Sequence, residues 1–173
     1  MPATMSFYCP ERSDEMVECY RSYNIEHHDE LAKPFPKVKE TLLALKARGC
    51  HLAVVSSKMG PTIAKGLALA GIEDLFETVV GMEDTTAHKP DPAPLLEAMR
   101  RIDAAPAVTV MVGDSPFDLQ AASNAGVLSV GVGWSAYSRE DLGKYGPDLI
   151  VDNMPELLSL AIPQATPELP KKP

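Results

Sequence analysis

The 173-residue sequence has no long hydrophobic run, few cysteines, few aromatic residues and no excess of positive charge. Its apolar runs stop after four to six residues, far short of the roughly 20 that a bilayer-crossing helix needs. The opening stretch MPATMSFYCPERSDE holds no apolar core of the kind a secretory leader carries. The expectation is a soluble, cytoplasmic protein with no membrane partner. Cys9, Cys19 and Cys50 are odd in number and form no C-x-x-C pair, which argues against a disulfide framework and against a zinc site. Sixteen Lys and Arg stand against 24 Asp and Glu, a net charge of −8. A broad footprint for a phosphate backbone is therefore not expected, and nor is a nucleic-acid partner. A local basic site for one small anion remains compatible with that charge.

What is present fits one globular domain with a buried core: 45% of residues are apolar and 23% charged. From about residue 37 a helix-length amphipathic stretch alternates with a short apolar run, and the cycle repeats four times. That alternation is the signature of an α/β protein with a parallel sheet. The strand candidates are 51–56 (HLAVVS), 77–81 (ETVVG), 108–114 (VTVMVGD) and 129–134 (SVGVGW), with 148–152 (DLIVD) as a short fifth. Helices are expected at about 37–48, 61–70, 92–102, 116–125 and 155–161, and Gly49, Gly71 and Gly126 follow three of them where a left-handed residue ends a helix.

The first 33 residues differ. SDEMVECYRSYNIEHHDELAK reads as a polar helix with a modest apolar face made by Met16, Tyr20 and Tyr23, joined to the α/β part at the Pro34-Phe35-Pro36 break. The boundaries expected are 1–33 for this helical element, 34–162 for the α/β core and 163–173 for a disordered tail with four prolines in its last eleven residues.

In a parallel α/β sheet, ligands bind beyond the carboxyl ends of the strands. Ser56-Ser57-Lys58 follows the first strand candidate, ahead of a helix that Pro61 marks. Two hydroxyls and an ammonium there suit a phosphate, and they equally suit an N-cap beside a surface lysine. Lys89 stands before a Pro-Asp-Pro turn whose rings give its backbone a fixed base, and the same turn reads as a helix entry capped by Asp91. The most specific element is VTVMVGDSPFD, where Asp114 ends a strand and Asp118 follows four residues later. Two carboxylates at a strand end are costly to bury without a cation and suit a hard ion such as Mg²⁺.

In this order and with these gaps, Ser56-Ser57-Lys58, Lys89 in HKPDP and Gly113-Asp114-Ser115-Pro116-Phe117-Asp118 resemble motifs two, three and four of the haloacid dehalogenase superfamily. YRSYNIEHHDELAKPFPKV, GIEDLF and GVGWSAYSREDLGKYGPDLIVDN are similar to its phosphoglycolate phosphatase and pyrophosphatase branch, so the resemblance spans roughly residues 10–160. It implies Mg²⁺-dependent hydrolysis of pyrophosphate or another small phosphorylated substrate through an aspartyl-phosphate. Ser56 would hold the transferring phosphoryl oxygens and Lys89 would neutralise charge there. Asp114 would bind Mg²⁺, with Asp118 helping directly or through water, and Ser57 and Lys58 would line the substrate side. Arg21, Asn24 and His28 could touch a leaving group or simply form a solvated helix face.

The departure from the family is as informative as the likeness. No Asp-x-Asp occurs in the sequence, although the family places its nucleophile and acid/base in such a pair, at the end of a strand lying centrally between those matching 51–56 and 108–114. The resemblance therefore implies a core lacking its first, central strand, with residues 1–33 the remnant of a helical cap. It also implies a chain truncated from a protein of about 210–220 residues and inactive alone, or a non-catalytic phosphate- and metal-binding module. A missing central strand exposes two strand edges, so self-association or strand exchange is expected.

Overall fold

A computed structural model describes residues 5, 7 and 9–160. The segment read as a disordered tail, 163–173, lies outside the described residues. Helix α1, Ser13–Glu26, and the single turn α2, His28–Leu31, come first, followed by α3, Val38–Ala47. Then β1 (Ala53–Val55), α4 (Gly60–Ala70), β2 (Thr78–Val80), α5 (Ala93–Arg101), β3 (Val110–Gly113), α6 (Pro116–Ala125), β4 (Leu128–Val132), α7 (Arg139–Gly143) and β5 (Leu149–Val151) alternate, and a 3-10 turn at Met154–Ser159 ends the described chain.

Among the described residues all pairings are parallel, and three ladders form two sheets: β1 with β2, and β3-β4-β5 in that order. Among the described residues no strand pairs β1 to β3. The expected gap beside a central strand is therefore present as two separate sheets. The core bridges it: Leu95 and Met99 of α5 meet Ala121 and Ala122 of α6 and Val127, and both Val55 of β1 and Met111 of β3 pack on that cluster. A second cluster gathers Val130 and Val132 of β4, Val151 of β5 and Leu157. In β4, paired on both sides, Ser129 to Val132 are all buried, whereas β1 is only half-buried and Val112 of β3 is 38% exposed. That contrast is what a free edge does to strands built to be covered on both faces.

Glycines end the helices as the sequence suggests: Gly49, Gly71 and Gly126 have φ of 82°, 61° and 69°. Three readings change. Val108 begins no strand, because Pro106–Val108 form a 3-10 turn that leaves it 80% exposed. Helix α7 was not foreseen; it is short, and its start is set by the Ser138 side chain accepting from the Asp141 N–H. In the N-terminal helix, Tyr20 and Tyr23 are exposed, and the inner face is Val17 with half-buried Asn24 and buried His28, at i, i+7 and i+11. His28 lies against Gly66 of α4, and Lys65 fastens the same region through the Ile25 carbonyl at 3.0 Å and the Asp29 carboxylate at 3.4 Å.

Leu119 is 1% exposed and Val108 is 80% exposed. Leu119→Ala is expected to cost about 2–5 kcal/mol in urea unfolding, and Val108→Ala within about 0.5 kcal/mol of nothing. Equal losses would contradict the core assigned here.

Candidate active site

Three strand ends supply the site. Ser56 continues the β1–β2 ladder by donating its N–H to the Val80 carbonyl at 2.9 Å. Its Oγ accepts the Lys58 N–H at 3.2 Å, which folds the exposed Ser57 and Lys58 back over the strand end. At the start of α4 the Gly60 N–H donates to Glu83 Oε1 at 2.8 Å. Hydroxyls and the Lys58 ammonium remain the donors of this corner.

The Lys89 loop is braced on both sides. Thr85 Oγ1 donates to the Ala87 carbonyl at 2.8 Å, and Asn124 Nδ2 to the Pro90 carbonyl at 2.9 Å. Asp91 is not the N-cap expected of it: Pro92 takes that position, and Asp91, one residue earlier, accepts the Ala93 N–H on its Oδ1 at 2.8 Å. From this base Lys89 Nζ reaches inward and donates to the Val55 carbonyl at 3.1 Å and to Asp118 Oδ1 at 2.6 Å. The Lys89 and Asp118 side chains are only 9% and 6% exposed. One ammonium thus ties the end of the first sheet to the helix that leaves the second.

Asp118 is also the N3 residue of a capping box. Its Oδ2 accepts from Ser115 N–H at 3.1 Å and from Ser115 Oγ at 2.6 Å. Both its oxygens are engaged, so in this arrangement it holds Lys89 and the helix start. Gly113 is required by this packing, since a Cβ there would lie 2.2 Å from the Asp118 Cβ. Asp114 is left as the exposed carboxylate of the pair. Protein on its inner side strips water from it, and the Asp118 charge repels it, so its carboxyl sits above the usual 3.8. Ser135 Oγ donates to the Asp114 carbonyl, and Tyr137 N–H donates to Ser135 Oγ at 2.9 Å, which ties the turn after β4 to the same strand end.

The structure thus brings Lys89, Asp114 and Asp118 together with the end of β1, where Ser56 follows. It does not bring His28 there. His28 is buried against α4 with its Nδ1 2.9 Å from Asp29 Oδ1, while Arg21 is exposed on α1. Glu83, Ser115 and Ser135 were missed. Only Ser115 had a readable signal, the S-x-x-D spacing of a capping box.

Among the described residues no three His, Cys, Asp or Glu side chains converge into a ready-made metal cage. Mg²⁺ in phosphate-handling sites needs none, since one or two carboxylates, waters and substrate oxygens suffice. Asp114 fits such an ion, because its charge is poorly solvated and faces a second carboxylate.

Parallel strands whose ends gather hydroxyls, a buried ammonium and two aspartates define an α/β protein with these polar groups assembled at one end of its strands. The comparisons make this specific. Residues 3–132 match the family described as haloacid dehalogenase-like hydrolase. The chain is 38% identical over 157 residues to pyrophosphatase PpaX of Bacillus mycoides, covering 91% of this chain and 73% of that protein. It is 40% identical to pyrophosphatase PpaX of Bacillus velezensis, with the same shares covered. A structure described as a predicted phosphoglycolate phosphatase from Haemophilus somnus superposes with a TM-score of 0.76 at 32% identity, over 85% of this chain and 67% of that one. A haloacid dehalogenase-like protein of Streptococcus pneumoniae shares the fold at a TM-score of 0.77 and 24% identity, over 86% and 70% of the two chains. The chain belongs to the haloacid dehalogenase-like hydrolase family.

The raised Asp114 carboxyl has a consequence for stability. The native state keeps that proton to a higher pH than the unfolded chain does, so stability falls as pH rises from 3.8 through the folded value. Asp114→Asn escapes this loss. At pH 7 without Mg²⁺ the variant is expected to melt above wild type, and the gap should close below pH 3.8, where Asp114 is protonated in both states. Thermal scans in a chelator check it, and a wild type that melts higher at pH 7 would contradict the strain assigned to Asp114.

Proposed function

We propose that these residues form the phosphate-holding and cation-holding part of a cytoplasmic hydrolase for small phosphorylated compounds, with inorganic pyrophosphate as first substrate and phosphoglycolate as second. The observation that carries this is Lys89, nearly buried between the Val55 carbonyl and Asp118 and set beside the exposed Asp114. The pyrophosphatases among its relatives supply the substrate choice.

The reading assigns each side chain one task. Ser56 Oγ orients a phosphoryl oxygen at the end of β1, and Ser57 and Lys58 meet the rest of the substrate. Lys89 offers a fixed positive charge to developing negative charge on the phosphoryl oxygens, already oriented before the reaction. Asp118 keeps that ammonium aimed. Asp114, with Asp118 behind it, would hold Mg²⁺, which when bound supplies further neutralisation of phosphate charge. The 173 residues contain no Asp-x-Asp. On the aspartyl-phosphate scheme the attacking carboxylate and its acid/base partner are therefore not among them, and this chain alone is expected to bind without turning over.

That same lack favours a second reading, a non-catalytic module that keeps the anion and cation pocket. Phosphate release from pyrophosphate with Mg²⁺ decides between the two. It is measured on the chain alone and on the chain extended at its N-terminus by a strand bearing an Asp-x-Asp. The hydrolase reading expects release from the extended form only, reduced about 10²-fold or more by Asp114→Asn or by Lys89→Ala. Release by the unextended chain would overturn the division of roles. A folded, extended form that stays inert but binds phosphate would favour the module.

A further inference from the structure

We propose that Glu83 is a positioning residue that holds Lys58 where its ammonium meets the far phosphate of pyrophosphate, so that the site prefers two linked phosphates to one. The inference rests on the reading of the site given above and adds to it a residue and a basis for substrate choice.

Helix α4 starts without a local cap. Its N-cap residue is Met59, whose side chain makes no capping bond, and Pro61 has no N–H, so the Gly60 N–H needs an acceptor from elsewhere. Glu83 supplies it from 23 residues away, with Oε1 at 2.8 Å. Two glycines make room for that carboxylate. A Cβ on Gly60 would lie 2.8 Å from Glu83 Oε1, and a Cβ on Gly81 would lie 2.8 Å from Oε2. Backbone approaches a side chain so closely only where there is no Cβ.

The contact does more than start a helix. Met82, next to Glu83, donates its N–H to the Lys58 carbonyl at 2.9 Å, and the Lys58 N–H donates to Ser56 Oγ at 3.2 Å. The Lys58 backbone is thus held on both sides, and Glu83 fixes the chain two residues further on. The turn that carries Glu83 is itself anchored, since Asp84 accepts the Gly81 N–H at 2.7 Å and pairs with Arg101 of α5. Among the described residues the Lys58 ammonium has no hydrogen-bond or ion-pair partner. Lys89, by contrast, is engaged with the Val55 carbonyl and Asp118. A single phosphate in this site uses Ser56 and Lys89. A second phosphate linked to it calls for a second cation, and Lys58, two residues beyond Ser56 on a braced backbone, is placed to provide one.

Binding of pyrophosphate and of phosphate to the full 173-residue chain, measured by calorimetry at one fixed Mg²⁺ concentration, tests this. Glu83→Ala is expected to weaken pyrophosphate about tenfold and phosphate by less than about twofold, whereas Glu83→Gln, which keeps the acceptor for Gly60, binds both as wild type does. Gly60→Ala crowds the carboxylate from its place without altering its charge, so it is expected to match Glu83→Ala, and it carries the test if Glu83→Ala does not fold. Lys58→Ala should show the same loss, and adding Glu83→Ala to it should cost nothing more, because the two act through one contact. An unchanged pyrophosphate affinity in Glu83→Ala, equal losses for the two anions, a Glu83→Gln variant as weak as Glu83→Ala, or additive losses in the double variant each overturn the inference. Wild type that binds neither anion overturns the reading of the site and the inference with it.

Discussion

A nearly buried bridge from Lys89 to Val55 and Asp118 ties the two sheets together at their carboxyl ends. Taking an ammonium and a carboxylate out of water costs several kcal/mol for each ion, and mutual attraction repays that only when the remaining donors and acceptors are also used. Here they are. The ammonium has a carbonyl at 3.1 Å and a carboxylate oxygen at 2.6 Å, and the second carboxylate oxygen has the hydroxyl and N–H of Ser115. Removing either partner strands the other as an uncompensated charge, a loss of about 3–5 kcal/mol. One aspartate thereby starts a helix, anchors a lysine and, through Gly113, fixes how closely strand and helix approach.

Other features serve to keep that bridge in place. The loop leading to Lys89 leaves β2 at Gly81, whose N–H donates to Asp84 Oδ2 at 2.7 Å. Arg101 clamps this loop to α5 through Asp84 at 2.5 Å, the Val79 carbonyl at 2.9 Å and Glu97 at 2.7 Å. Glu97, shared by Arg100 and Arg101, is pulled down to about 2 and is ionised throughout the working range of pH. These are exposed pairs of little individual worth, and their contribution is to loop geometry. On the far side Asp148 accepts from the Ser129 N–H at 2.8 Å and its hydroxyl at 3.1 Å, pinning the start of β4 to the start of β5. The Asp148 carboxyl lies below its usual range for that reason.

The alternation of patterns made the five strands and their order along the chain legible, because parallel strands need near-continuous apolar runs and helices need the 3.6 period. Gly49, Gly71 and Gly126 were legible for a steric reason that no neighbour can override. The meeting of Lys89, Asp114 and Asp118 at the strand ends was legible through the Pro-rich turn and the strand-end acids. Their division of labour was not, because whether Asp118 faces an ion or a lysine depends on a residue 29 positions away. The inner face of α1 was misread for a similar reason: Tyr20 and Tyr23 look apolar on a helical wheel, yet α4 offers Lys65 and Gly66, which suit Asp29 and His28 better than an aromatic ring. Val108 was drawn into a strand by its apolarity, although Pro106 sets a 3-10 turn that period-counting does not see.

The two-sheet arrangement gives the site its mechanical logic. Ser56, Ser57 and Lys58 follow β1, and Asp114 follows β3, with no hydrogen-bonded ladder between the two strands among the described residues. Their relative position is set by α5 and α6 packing beneath both sheets and by Lys89 across the top. Side-chain packing and one charged bridge constrain distance less stiffly than a row of backbone hydrogen bonds, since a ladder fixes both spacing and register at once. A phosphate on the β1 side and a cation on the β3 side, as proposed, would consequently be brought to a fixed separation only as firmly as that bridge allows. On the proposed reading Lys89 is therefore both a charge for the anion and the strut that keeps the two halves of the site at working distance.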